Sequence, residues 1–102
     1  MPRFLIEVPH ESDTVACARV AQVVLASGSH FLSNAEWGCM DGDHSAWMIV
    51  EANTKTEARG IVPPAFRARA RVVALTKFKM AAIEETLRRH GAPIEPEGAA
   101  GG

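Results

Sequence analysis

The chain has 102 residues, 47% of them hydrophobic and 23% charged, and its formal net charge is −1 at neutral pH. That length suits one small domain with a single modest core, and the balance of charge lacks the basic excess of a nucleic-acid-binding surface. No apolar run approaches the roughly 20 residues of a membrane-spanning helix, and the opening MPRFLIEVPHESD has no secretion-signal core, so neither membrane nor export is expected and the cytoplasm is.

RFLIEVPH, from Arg3 to His10, is apolar and β-prone and is closed by Pro9, which reads as a first strand. ESDTVACARVAQVVLASGS follows as an amphipathic helix, with Ser12 or Asp13 as N-cap and Gly28 beyond the last turn. Its apolar stripe is Cys17, Val20, Ala21, Val24 and Leu25, which assigns Cys17 to the core. HFLSNAEWGCM and HSAWMIVEA flank Asp41-Gly42, the strongest hairpin signal in the chain, and read as two antiparallel strands. TKTE, from Thr54 to Glu57, is a capping box that opens a second helix, which Pro63-Pro64 ends or bends. RVVALTKF, from Arg71 to Phe78, is the last strand, and MAAIEETLRRH a closing helix with Gly91 after it. Residues 1–91 therefore form one domain, and the Pro/Gly-rich residues 92–102 are expected to be a flexible, disordered tail.

The order β-α-β-β-α-β plus a C-terminal helix is the ferredoxin-like α+β pattern, a four-stranded antiparallel sheet in the order 4-1-3-2 with the two main helices on one face. The opening MPRFLIEVPHE, the length and this strand plan resemble small ferredoxin-like proteins of unknown function, one branch of which binds nickel. The resemblance spans most of Arg3 to Phe78 and implies a fold, with two open sheet faces closing over each other as a dimeric α+β barrel. It carries over no ligand residues, because this superfold hosts unrelated chemistries.

Topology and strand period then place candidate residues. The end of the first strand and the turn of the central hairpin share one rim of the sheet, and His10 and His44 lie on the same side. If the loop is only Asp41-Gly42, Cys39 stands opposite His44, so that His10, Cys39 and His44 meet at the rim, with Asp41, Asp43 and Glu11 nearby as oxygen donors and the fourth position falling to Asp43, Asp41 or water, the last leaving room for catalysis. A three-residue loop would turn Cys39 to the other face. Two imidazoles and a thiolate suit a divalent transition metal, Ni, Zn, Cu or Co, better than a hard ion. The competing reading is a dry hairpin with Cys39 packed near Cys17, since Asp and Gly serve turns for backbone reasons and a buried cysteine is usually inert. His30 is expected at the opposite end of the sheet.

A rival site lies on the open face. Glu7 on the first strand, Glu51 on the third and Lys77 on the fourth are expected as neighbours in an otherwise apolar lumen lined by Leu5, Trp47, Ile49, Val73 and Leu75. Such a group could serve a metal-free small enzyme of the monooxygenase or isomerase type, or simply form an ion network inside the dimer. Arg67, Arg69 and Arg71 recur at every second residue, which aligns them along one side of an extended segment as a solvated edge or an anion contact. The sequence contains no nucleophile elbow or phosphate loop. It points to a homodimer that binds a small ligand, foremost a metal ion at the hairpin rim, with lumen chemistry or a structural or regulatory dimer as alternatives.

Overall fold

The computed structural model describes residues 1–95. Its elements are β1 (Arg3–Pro9), α1 (Thr14–Ala26), α2 (His30–Ser33), β2 (Glu36–Trp37), a 3-10 turn (Cys39–Asp41), β3 (Ser45–Glu51), α3 (Lys55–Ile61), a second 3-10 turn (Pro64–Phe66), β4 (Arg71–Leu75) and α4 (Met80–Arg89). The expected tail falls mostly on residues 96–102, outside the described part. Among the described residues no helix is long and apolar enough to cross a membrane.

The sheet is antiparallel in the order β2-β3-β1-β4, which is 4-1-3-2 counted from the other edge. Strand alternation sends Phe4, Ile6 and Val8 of β1, Met48 and Val50 of β3, and Val72 of β4 to one buried face. There they meet Val20 and Val24 of α1, Leu32 of α2, and Ala58 and Val62 from α3 and its C-cap. Ile6 is fully buried, and an aliphatic side chain of that kind stabilises by roughly 1.5–3 kcal/mol relative to exposure. The opposite face carries Leu5, Trp47, Val73 and Leu75 half-buried and Ile49 exposed, and none of these belongs to the buried core cluster of the described residues.

The helix starts follow their side chains. Asp13 caps α1 by accepting the Ala16 N–H at 3.0 Å. Thr54 caps α3 by accepting the Glu57 N–H at 3.1 Å, while Glu57 reaches back to the N–H of Asn53 at 2.9 Å. Pro63 and Pro64 then end α3.

The second strand departs most from expectation. Of the segment from His30 to Met40, only Glu36 and Trp37 pair with β3. Ser29 caps a single helical turn whose N-terminal donors include Leu32, and that turn drives Leu32 into the core at 2% exposure. The expected hairpin register survives nonetheless: Glu36 faces Trp47 and Trp37 faces Ala46, as a turn centred on Asp41-Gly42 requires. Its closure is different. The ladder stops at Trp37, and the Gly38 carbonyl accepts the N–H groups of Asp41 (2.9 Å) and Asp43 (3.0 Å), winding the loop into a 3-10 turn that Gly42 ends at φ +82°. Gly38 itself has no room for a side chain, since a Cβ there would stand 2.7 Å from the Asp43 carbonyl oxygen and 2.7 Å from Trp47 Cζ3.

Two further expectations are corrected. β4 ends at Leu75, so Lys77 lies beyond the strand and exposed. The segment holding Arg67 and Arg69 is turned rather than extended, and the three arginines do not line up: Arg67 donates to the carbonyls of Val62 (2.8 Å) and Gly60 (2.9 Å), tying down the α3 C-terminus, Arg69 lies 3.8 Å from exposed Glu11, and only Arg71 is in β4.

Candidate metal centre

Four side chains converge at the rim where β1 and β3 meet the start of α1. One donor atom from each of His10, Cys17, Cys39 and His44 lies within 4.8 Å of every other. Each is delivered by a local feature of the chain. The His10 N–H donates to the His44 carbonyl at 2.9 Å, extending the β1–β3 ladder one step past the Pro9–Ser45 pair and setting both histidines at the same level of the sheet. The Asp13 cap starts α1 so that Cys17 falls in its first turn, its N–H bonded to the Asp13 carbonyl at 2.9 Å. The 3-10 turn lifts Cys39 out of the strand path and over the same point.

Within the group, His10 Nε2 is 3.2 Å from Cys17 Sγ and 3.1 Å from Cys39 Sγ. The two sulfurs are 3.0 Å apart. His10 and His44 stand edge to face, ring centroids 5.8 Å apart, and His10 also meets the edge of Trp37. All four residues are half-buried, and the Nδ1 atoms of both histidines are buried without a hydrogen-bond partner among the described residues. An unpartnered buried polar atom costs about 1–3 kcal/mol, so these nitrogens are an expense that packing alone does not explain. The hydrogen bond shared with Cys17, then burial and the neighbouring Cys17 charge, hold the Cys39 thiol above its ordinary pKa.

No protein-family model matches this sequence, and comparison with curated proteins and with solved structures gives no match either. The functional reading therefore rests on the site itself.

Two cysteines and two histidines form the donor set of tetrahedral sites with M–S near 2.3 Å and M–N near 2.0–2.1 Å, whose ligand atoms stand roughly 3.4–3.8 Å apart. The two pairs between His10 and the cysteines, at 3.1–3.2 Å, are a few tenths of an ångström tighter than that, the sulfur pair at 3.0 Å is about 0.8 Å tighter, and every other pair lies within 4.8 Å. To admit an ion the two sulfurs would have to part by about 0.8 Å. A cavity of about 500 Å³ opens onto the group, walled by Cys17, Cys39 and His44 together with Leu25, Trp37 and Met40, and it supplies an entry path. Leu25, expected in the core stripe of α1, is 58% exposed and belongs to this wall instead.

Of the residues expected at the rim, His10, Cys39 and His44 are brought together. Asp43 and Asp41, expected with water as the alternatives for a fourth position, are exposed and outside the group, as is Glu11. The fourth donor is Cys17, which the helical stripe assigned to the core. Its stripe position does face inward, but at the first turn of α1 inward means toward the end of β1, where His10 sits. The Asp13 cap was the signal that could have found it, because the cap fixes how far along the helix each residue lies.

The lumen group does not assemble. β1 pairs Glu7 with Trp47 on one side and Arg71 on the other, whereas Glu51 pairs with Arg3. Glu7 and Glu51 are thus displaced by four residues along the sheet, about 13 Å at the rise of a strand. Glu7 Oε2 accepts the indole N–H of Trp47 at 3.1 Å. With Lys77 beyond β4, the two carboxylates and the ammonium share no site.

Proposed function

We propose that the protein binds one transition-metal ion through His10, Cys17, Cys39 and His44, with Zn(II) or Co(II) as the best-fitting ions. The observation that carries this reading is the convergence of four soft and borderline donors, from four separate points of the chain, within 4.8 Å. Thiolate and imidazole exclude Mg and Ca on hardness, and an S2N2 tetrahedron is a characteristic zinc arrangement. Nickel, the ion of one branch of the ferredoxin-like proteins that the sequence resembles, and copper accept the same donors, so they belong in the same titration. Four protein donors leave no position reserved for water, which favours holding the ion over hydrolytic chemistry. The ion would pin the end of β1, the start of α1 and the β2–β3 connection to one another. Calorimetric titration of reduced, untagged protein with Zn(II), Co(II) and Ni(II) tests it: one equivalent of saturable binding is expected, and no binding by any of them rejects it.

The same reading takes the sheet face opposite the core as the place where two ferredoxin-like copies meet and close into a dimeric α+β barrel. Leu5, Trp47, Ile49, Val73 and Leu75 recur on that face at strand period, and a contiguous apolar patch of this kind favours association. Light scattering at micromolar concentration should give twice the chain mass, and Ile49→Glu should return it to the chain mass. A wild-type protein at the chain mass rejects the dimer and leaves the metal reading untouched.

A further inference from the structure

We propose that Cys17 and Cys39 are an oxidisable pair in which a disulfide and a bound metal ion exclude one another, so that an oxidant of the peroxide class empties the site. The loss of the ion rests on the metal-binding reading above; the cross-link does not.

The two sulfurs are in contact at 3.0 Å although the residues are 22 positions apart and on different elements. A disulfide bond is about 2.05 Å long, so closure requires an approach of roughly 1 Å. Of the two elements the 3-10 turn that carries Cys39 is the more exposed: Met40, Asp41, Gly42 and Asp43 are exposed and none of its residues is buried, whereas α1 is anchored by buried Val20 and Val24. Both sulfurs also wall the cavity that opens onto the cluster, which gives a small oxidant access to them. The chain contains no third cysteine, so within one chain this pairing has no competitor.

The chemistry balances in two steps. One thiolate sulfur attacks an oxygen of hydrogen peroxide; the O–O bond breaks, the sulfur becomes a sulfenic acid and hydroxide leaves. The second thiolate attacks that sulfur; the S–S bond forms, the S–O bond breaks and a second hydroxide leaves. Overall two thiols are oxidised by two electrons, one peroxide is reduced, and the two thiol protons leave as part of two waters. Neither sulfur is then a thiolate, and the site keeps only the imidazoles of His10 and His44. The exclusion is reciprocal: an ion held by both thiolates occupies the electron pairs that would attack the peroxide, so metal slows the oxidation.

The test treats reduced metal-free protein with one equivalent of hydrogen peroxide and reads intact mass, a non-reducing peptide map and Zn(II) affinity. Expected is loss of the mass of two hydrogen atoms, a Cys17–Cys39 linked peptide within one chain, and a fall in Zn(II) affinity of roughly 100-fold or more that a dithiol reductant reverses. Prior loading with Zn(II) should slow the mass change, and Cys17→Ser should form no intrachain link. Oxygen addition without a cross-link, a link only between chains, or a disulfide form that still binds Zn(II) as tightly as the reduced form overturns the proposal. Reduced protein that takes up no Zn(II) overturns the metal reading, a separate result from the cross-link, which mass and peptide map detect without metal.

Discussion

The backbone N–H of His10 donates to the carbonyl of His44 across 2.9 Å, and this bond, made between main chains, brings the two imidazoles to the same rim of the sheet. The positioning is therefore independent of the side chains it positions. His10→Ala should keep the ladder and remove only a donor. Zn(II) affinity should fall by at least about tenfold while the metal-free fold changes by no more than about 1 kcal/mol, because the unpartnered buried Nδ1 leaves together with the ring. Calorimetry and urea unfolding of the metal-free variant measure the two quantities.

Cys39 makes pH act in opposite directions on the empty and loaded protein. Its pKa is raised in the folded state, chiefly by the hydrogen bond with Cys17, so folding favours the protonated thiol. That contribution is fully present below the ordinary thiol value, roughly 8.5, and is lost as pH rises through the higher folded value. Metal-free protein should thus become less stable as pH rises above roughly 8.5. Zn(II) affinity should instead increase with pH over the same range, because the ion must displace the thiol proton. Denaturant midpoints of the metal-free protein and binding isotherms across pH 7–10 check both slopes, and Cys39→Ala should flatten the first.

Gly38 holds the geometry of the 3-10 turn through its carbonyl and its lack of a side chain. Gly38→Ala places a Cβ against the Asp43 carbonyl and the Trp47 ring, both at 2.7 Å, and backbone is a wall that does not yield cheaply. A loss of about 1–3 kcal/mol in urea unfolding is expected, together with weaker metal binding as Cys39 shifts. A variant as stable as wild type would mean that the turn relaxes freely.

Glu7 is tied to Trp47, not to Lys77. Glu7→Gln should preserve most of the stability, since an amide oxygen accepts the indole N–H as well, and Glu7→Ala should cost about 1 kcal/mol. In a double-mutant cycle Glu7→Ala and Lys77→Met should be additive within about 0.5 kcal/mol. A coupling of 2 kcal/mol or more would restore the ion pair that the register removes.

The sequence carried the strand-level arrangement well where hydrophobic alternation and capping chemistry were unambiguous: β1, α1, β3, α3 and the pairing register of Trp37 with Ala46 all follow from it. It failed where two local preferences competed. His30–Met40 has apolar residues that suit a strand, but Ser29 offers a cap, and the helical turn wins because it buries Leu32. Asp41-Gly42 has the sequence of a two-residue hairpin, yet the crowding of Gly38 against Trp47 fits a wider loop closed by the Gly38 carbonyl. Of the four residues, His10 and His44 were legible because strand register places residues in two dimensions, whereas Cys39 reaches them from the 3-10 turn and not as the cross-strand partner of His44. Cys17 was expected beside Cys39 only in the competing dry hairpin, a contact the structure does contain, and not as a member of the candidate group, because helical periodicity gives a face without saying what lies opposite it. The lumen carboxylates failed for a related reason: face and strand were right, but their positions along the strands differ by four residues.

Cobalt titration under anaerobic conditions tests the central claim most directly, since Co(II) reports its ligands and geometry by absorption. Freshly reduced wild-type protein should bind one Co(II) per chain, with the strong visible bands of a tetrahedral ion and the near-ultraviolet charge-transfer band of thiolate ligation, and Zn(II) should displace it. Cys17→Ser and Cys39→Ser should each weaken the charge-transfer band and the affinity, while Asp43→Asn changes neither. A wild-type protein that shows no such spectrum, or cysteine variants whose cobalt spectra match wild type, would contradict the site.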